Sequence, residues 1–361
     1  MADAFARSLT GRPESAQCCV HVDGEAVVDL WAGAADAVEV VFSATKGGTA
    51  ACANLLVQRG LLDLDAPVTR YWPEFGSHGK ESTLVRWLLS HKSGVLAPQT
   101  RLTMDDLASW ETVVSALAAA EPVWEPGSAY GYHAQSFGWL VGELVRRVDG
   151  RSLGTFFAEE VAAPAGADFW IGLPEDQEHR VAPLESAAAA MPAETDMSDL
   201  DLSAYVGPHQ VTAFTLNGAL PEDPLECAAD RRYRAGQFGG AGGVAGGRGL
   251  SRMYNWLLDG FTAQTIEDIL RPDTEGPDLV VSSPALVIEQ VFGRGFEITP
   301  PAGAAAGART FGHGGAGGTT AFADPDRRLA FGYATTRVVW GPPGLDARAT
   351  ALVESAYAAL S

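Results

Sequence analysis

Strand-like runs stand at both extremities of this chain, and they constrain its fold more than any other feature, because strands so far apart complete one sheet only when the two ends meet. Near the start, "QCCVHVDGEAVVDLWAG" gives two β-rich runs around Asp23-Gly24. That dipeptide suits a tight hairpin, in which both turn positions need positive φ. A third short run, "VEVVF", leads into Ser43. Near the end, "GTTAFADPDRRLAFGYATT" repeats the pattern, with strands either side of a turn at Asp324-Pro325. From Leu345 onward, Leu345, Ala349, Leu352, Ala356 and Leu360 recur at helical spacing, which predicts a closing helix.

The middle differs. "SFGWLVGELVRRVDG" puts Phe137, Leu140, Val141, Leu144, Val145 and Val148 on one helical face, with Gly150 where a helix stops. Between about Ala187 and Arg234 the pattern dissolves into Pro, Gly and acidic residues. The acidic cluster Glu194, Asp196, Asp199 and Asp201 there is read as a solvated loop rather than a metal site. The expected fold class is α+β: an antiparallel sheet formed by both chain ends and flanked by helices, with an inserted, mostly helical domain. The sheet domain is placed at 1–70 with 240–361 and the insertion at 71–239, of which 187–239 is an irregular pocket wall.

Composition narrows the partners. The 361 residues carry a formal charge of −20 and no basic run, which argues against nucleic acid, since phosphate binding needs clustered positive charge. No basic segment leads into an apolar stretch at the start, and no apolar run reaches about 18 residues, so a cytoplasmic protein without a membrane partner is expected. The four cysteines, with Cys18 and Cys19 adjacent, are expected to be buried free thiols. No H-E-x-x-H and no Cys/His cluster appears, so neither a metal nor another cofactor is expected.

Of 25 basic residues only Lys46, Lys80 and Lys92 are lysines. Arginine serves a surface equally well but cannot release its proton, whereas a desolvated lysine can. Lys46 lies three residues after Ser43, on the same side of a first helical turn. A serine is a poor nucleophile until a base takes its proton, and a lysine with a burial-depressed pKa can be that base. The spacing alone is weak: Ser77-His78-Gly79-Lys80 repeats it inside "EFGSHGKEST", a polar stretch assigned to the surface.

The setting of Ser43 distinguishes it, with "VVF" before it and two glycine-marked segments later, "WEPGSAYGYHAQSFGWLVGEL" and "FGHGGAGGTTAFADP". With these the chain resembles the serine β-lactamase and penicillin-binding superfamily, closest to the branch of class C β-lactamases and family VIII carboxylesterases. The resemblance implies that Tyr132, following the Pro-Gly pair, shuttles a proton between Ser43 and the leaving group. Ala134 stands where the lactamases have asparagine. His313-Gly314-Gly315 occupies the place of their Lys-Thr-Gly, where the lysine helps to hold the carboxylate of β-lactams; a neutral imidazole does this poorly. The resemblance also implies an oxyanion hole from the backbone N–H groups of Ser43 and Ala316. "WLLSHKSGV" resembles a family stretch near the nucleophile, and His91, Lys92 and Ser93 are read as structural. Trp124, Phe238 and Trp340 are candidate walls of an apolar acyl pocket.

The expected activity is cleavage of a carboxylic ester through an acyl-enzyme on Ser43, the substrate being a small-molecule ester or acyl compound. An acyltransferase using the same intermediate stays open, since the two differ only in what the pocket excludes during the second half-reaction. Amide or β-lactam hydrolysis ranks below these, and an inactive binding protein keeping the fold is the non-enzyme alternative.

Overall fold

The computed structural model describes residues 1–9, 14–187, 206–298, 306–340 and 346–360. Asp23 and Gly24 both take positive φ, 50° and 87°, and turn strand Ala16–Val22 back into Glu25–Ala32, as the dipeptide requires. On its other side Ala16–Val22 pairs antiparallel with Leu329–Thr335, from Ala16 opposite Thr335 to Val22 opposite Leu329. The two ends of the chain therefore meet at the level of backbone hydrogen bonds. Thr320–Asp324, Phe311–Gly314, Phe296–Ile298 and Phe292–Gly293 follow in that order, giving a seven-stranded antiparallel sheet.

Both faces of this sheet are covered. Phe5 and, from the closing helix Ala347–Ala358, Leu352 and Val353 pack with Val20, Phe322 and Phe331. Ala349, Leu352 and Ala356 are buried as the spacing predicts. Leu360 lies beyond the helix end and is 43% exposed, so the stripe stops one turn early. On the other face, helix Gly247–Gly260 packs against Ala16–Val22, Thr320–Asp324 and Leu329–Thr335. The run "VEVVF" does not join the main sheet. Only Glu39–Val40 is a strand, paired with Val244–Ala245 in a separate three-stranded sheet that includes Phe169–Trp170.

The helical layer is built around Thr45–Gln58, which packs against Ser136–Asp149. In the latter, Phe137, Leu140, Val141, Leu144 and Val145 are fully buried, each contributing about 1.5–3 kcal/mol, and Gly150 ends the helix at φ 94°. All four cysteines are free and buried. Among the described residues no helix is long and apolar enough to cross a membrane. The acidic cluster Glu194, Asp196, Asp199 and Asp201 lies outside the described residues, as does Leu345.

Lys80 overturns its surface assignment: it is fully buried. Its ammonium donates to the carbonyls of Ala118, at 3.1 Å, and Ala120, just where helix Trp110–Ala118 runs out of intrahelical donors. Ser77 donates its hydroxyl to Ala118 O at 2.7 Å. This second S-x-x-K is a helix C-terminal cap.

Candidate active site

Ser43 sits in a 3-10 turn, Phe42–Ala44, that feeds directly into helix Thr45–Gln58. Phe42 takes φ 44°, a left-handed conformation that a bulky residue rarely adopts, and such strain concentrates where a side chain has to be presented. The turn is held from inside. Thr45 donates its hydroxyl to Phe42 O at 2.5 Å and accepts from Gly243 N at 2.8 Å, while Thr49 donates to Gly239 O at 2.8 Å. The segment 239–243 is thereby tied along the nucleophile helix. Gly240 belongs to this contact because a Cβ there would stand 2.6 Å from Gln135 O.

That tie supplies the surroundings of Lys46, which is fully buried. Its Nζ lies 2.7 Å from Gly240 O, 2.8 Å from Ala134 O and 3.3 Å from Ser43 Oγ. Burial, with no carboxylate in contact, pushes its pKa well below the usual lysine value. A neutral amine has two hydrogens, and the two carbonyls accept both, so its lone pair is left for Ser43. Ala134 thus contributes a main-chain oxygen to the lysine's surroundings.

Lys46 Nζ lies 4.5 Å above the Tyr132 ring, and the Tyr132 phenol and the Ser43 hydroxyl are in hydrogen-bonding reach of one another. Burial raises the phenol's pKa, so it stays protonated. Asp278 accepts from Tyr132 N at 3.1 Å and from the amides of Val280 and Val281 at 2.7 and 3.0 Å, fixing the loop that carries the phenol. Phe292 stacks at 6.1 Å from Tyr132, and His91, Phe214 and His313 surround the same ring at 5.1, 6.1 and 6.1 Å.

The glycine-rich ribbon closes the cleft. A Cβ on Gly315 would stand 2.2 Å from Val41 O, so the bare backbone lets strand Phe311–Gly314 come against the Ser43 turn. Among the described residues the Ala316 N–H has no hydrogen-bond acceptor. His313 is 3% exposed. Its Nδ1 and Gly314 O are 2.7 Å apart, which places the proton on Nδ1, and among the described residues its Nε2 has no partner. Burial, then repulsion from Lys46, lowers its pKa to about 3.

Trp124 is half-buried behind Tyr132, against His133 at 6.0 Å, with its indole N–H donated to Lys92 O at 3.3 Å. Phe238 is not in the cleft: it lies in the core between Tyr233 and Trp139, at 4.7 and 5.1 Å. Its glycine neighbours bring the backbone to Lys46 and its ring turns inward. Trp340 is 41% exposed, next to Val339, which bridges Gly317. His133 is buried, with Ser93 Oγ 2.8 Å from Nε2, and His91 Nδ1 accepts from His133 N at 3.1 Å. Asp278, Phe292 and Phe214, which surround or fix Tyr132, were not legible from the sequence. Of these only Asp278, after Gly276-Pro277, carried a turn signal.

A family model described as Beta-lactamase matches residues 2–355. The chain is 31% identical over 352 residues to Esterase/beta-lactamase LipL of Mycobacterium tuberculosis (strain ATCC 25618 / H37Rv), covering 93% of this chain and 80% of that protein. Among solved structures, a family VIII carboxylesterase is 34% identical with a TM-score of 0.85, over 99% of this chain and 96% of the other. EstA from Arthrobacter nitroguajacolicus Rue61a is 33% identical, also with a TM-score of 0.85, over 100% of this chain and 96% of the other.

Proposed function

The chain belongs to the beta-lactamase family, and on that premise we propose that it is a serine ester hydrolase that works through an acyl-enzyme on Ser43. The observation that carries the roles is the placement of Lys46 Nζ, 3.3 Å from Ser43 Oγ with two carbonyls occupying its other positions. The amine takes the Ser43 proton as Oγ attacks the ester carbonyl. The Ser43 and Ala316 N–H groups receive the charge that develops on the carbonyl oxygen. Tyr132 gives its proton to the departing alkoxide and is reprotonated from Lys46, so the alcohol leaves neutral and the amine is restored. A water then attacks the acyl-serine by the reverse path, releasing the acid. His313, held neutral in place of a lysine, supplies no cation for a β-lactam carboxylate, which favours esters.

A hydrolysis screen of p-nitrophenyl esters from short to long chain, run beside a chromogenic cephalosporin, tests this. Ester turnover abolished by Ser43→Ala is the expected result. A response to the cephalosporin alone, or ester turnover that survives Ser43→Ala, overturns it.

A further inference from the structure

Three consecutive amides around the Tyr132 phenol donate to acceptors from distant parts of the chain. The Gly131 N–H reaches the His91 carbonyl at 3.1 Å, the Tyr132 N–H reaches Asp278 Oδ1 at 3.1 Å, and the His133 N–H reaches His91 Nδ1 at 3.1 Å. One residue, His91, therefore holds the amides on both sides of Tyr132. The next residue, Ala134, gives its carbonyl to Lys46 Nζ at 2.8 Å. The same short stretch thus fixes the phenol and a partner of the amine.

His91 makes both contacts from φ 59°, a left-handed conformation that histidine, asparagine and aspartate enter more readily than other side chains do. Such strain persists where the surroundings over-determine it, and here its carbonyl and its ring are both engaged. The residue is fully buried, with its ring centroid 4.5 Å from that of Phe292 and 5.1 Å from those of Phe137 and Tyr132. Burial lowers the imidazole pKa well below its usual value, so the ring is neutral. Because Nδ1 accepts, the proton lies on Nε2, and among the described residues Nε2 has no hydrogen-bond partner. A buried N–H without an acceptor is costly, and a phenyl ring would fill the same space without it. What the imidazole adds over a phenyl ring is the acceptor at Nδ1.

We infer that His91 is a positioning residue: by holding the amides of Gly131 and His133 it sets the Tyr132 phenol at Ser43 and the Ala134 carbonyl at Lys46. The inference rests on the assignment of Ser43, Lys46 and Tyr132 to an ester hydrolase. Two substitutions separate the acceptor from the ring. Asparagine carries its amide oxygen as many bonds from Cβ as histidine carries Nδ1 and tolerates the left-handed backbone, so His91→Asn keeps the acceptor and loses the ring. His91→Phe keeps a ring and loses the acceptor.

The test compares kcat/KM for ethyl butyrate, whose alkoxide leaves only with a proton, and for p-nitrophenyl butyrate, whose phenolate leaves without one. The ratio of the two reads the placement of the phenol, whereas a loss of folded enzyme lowers both rates alike. His91→Phe is expected to lower the ratio at least about tenfold, and His91→Asn to keep it within about threefold of the wild type. A wild-type ratio in His91→Phe overturns the inference, and so does a fall in His91→Asn as large as in His91→Phe, which assigns His91 to ring packing. Should His91→Phe fail to fold, His91→Gln, whose acceptor lies one bond further out, takes its place under the same criteria. Ester turnover that survives Ser43→Ala, or a wild-type ratio in Tyr132→Phe, removes the hydrolase mechanism beneath; Ser43-dependent turnover with a ratio that responds to Tyr132→Phe but not to His91→Phe removes only the role of His91.

Discussion

Removing one oxygen from Tyr132 separates chemistry from architecture in this site. In Tyr132→Phe the ring keeps its stack on Phe292 at 6.1 Å and its contacts with His91 and His313 at 5.1 and 6.1 Å. Among the described residues the side chain in hydrogen-bonding reach of the phenol is Ser43, whose hydroxyl retains Lys46 at 3.3 Å. The lost hydrogen bond is worth about 1 kcal/mol, which for a chain of 361 residues moves Tm by only about 1–2 °C. In the proposed mechanism the phenol delivers the proton to the departing alkoxide, and a positioned general acid contributes roughly 10²–10⁴ in rate. Initial rates on an alkyl ester such as ethyl butyrate, whose alkoxide has to be protonated to leave, followed by pH-stat beside a thermal melt, read both quantities. A fall in kcat/KM of at least about a hundredfold with an almost unchanged melt is expected. Activity within about threefold of wild type would refute the proton-delivery role, and a melt lowered by 10 °C or more would show instead that the hydroxyl is structural.

Lys80→Met is expected to cost about 1–3 kcal/mol in a urea titration by stranding the carbonyl of Ala120, while Ala118 O keeps the Ser77 hydroxyl, with kcat/KM unchanged, which distinguishes the second S-x-x-K from the first. Gly47→Ala places a Cβ 2.1 Å from the Tyr254 hydroxyl and is expected to destabilise by about 1–3 kcal/mol. Adding Tyr254→Phe should recover most of that loss, read as a favourable coupling in a double-mutant cycle. The Glu297 pKa is raised from 4.5 to about 7, mainly by burial. Its contribution to stability is therefore fully present below 4.5 and is lost as pH rises through 7. Glu297→Gln should gain on the wild type by about 3 kcal/mol more at pH 8 than at pH 4 in urea titrations; an equal difference at both pH values refutes the assigned environment.

The parts of this fold that could be read from sequence are those where the cause is local. Asp23-Gly24 dictates its turn because few other residues accept two positive φ values. The stripe from Phe137 to Val145 dictates a buried helix face because its period is helical. Ser43 and Lys46 are one helical turn apart, so their meeting needed no knowledge of the rest of the chain. Tyr132 and His313 were reached only through the resemblance to a family, since nothing within a few residues marks either one. Lys80 was misplaced because the carbonyls that bury it come from about 40 positions away, at the end of another helix. Phe238 was misplaced for a related reason: the glycines around it do serve the site, through Gly240 O, but the ring faces Trp139 and Tyr233. Phe292 and Asp278 reach Tyr132 from a segment more than 140 residues later, and only tertiary packing makes them neighbours.

Covalent capture of the acyl-enzyme tests the nucleophile assignment most directly. The wild type and Ser43→Ala are mixed with a p-nitrophenyl ester, quenched in acid within the first turnover, and measured by intact-mass spectrometry followed by peptide mapping. A mass increase equal to the acyl group, located on Ser43 and absent from Ser43→Ala, is the predicted result. An unmodified wild-type chain during rapid turnover, or an acyl group located on any other residue, would contradict it.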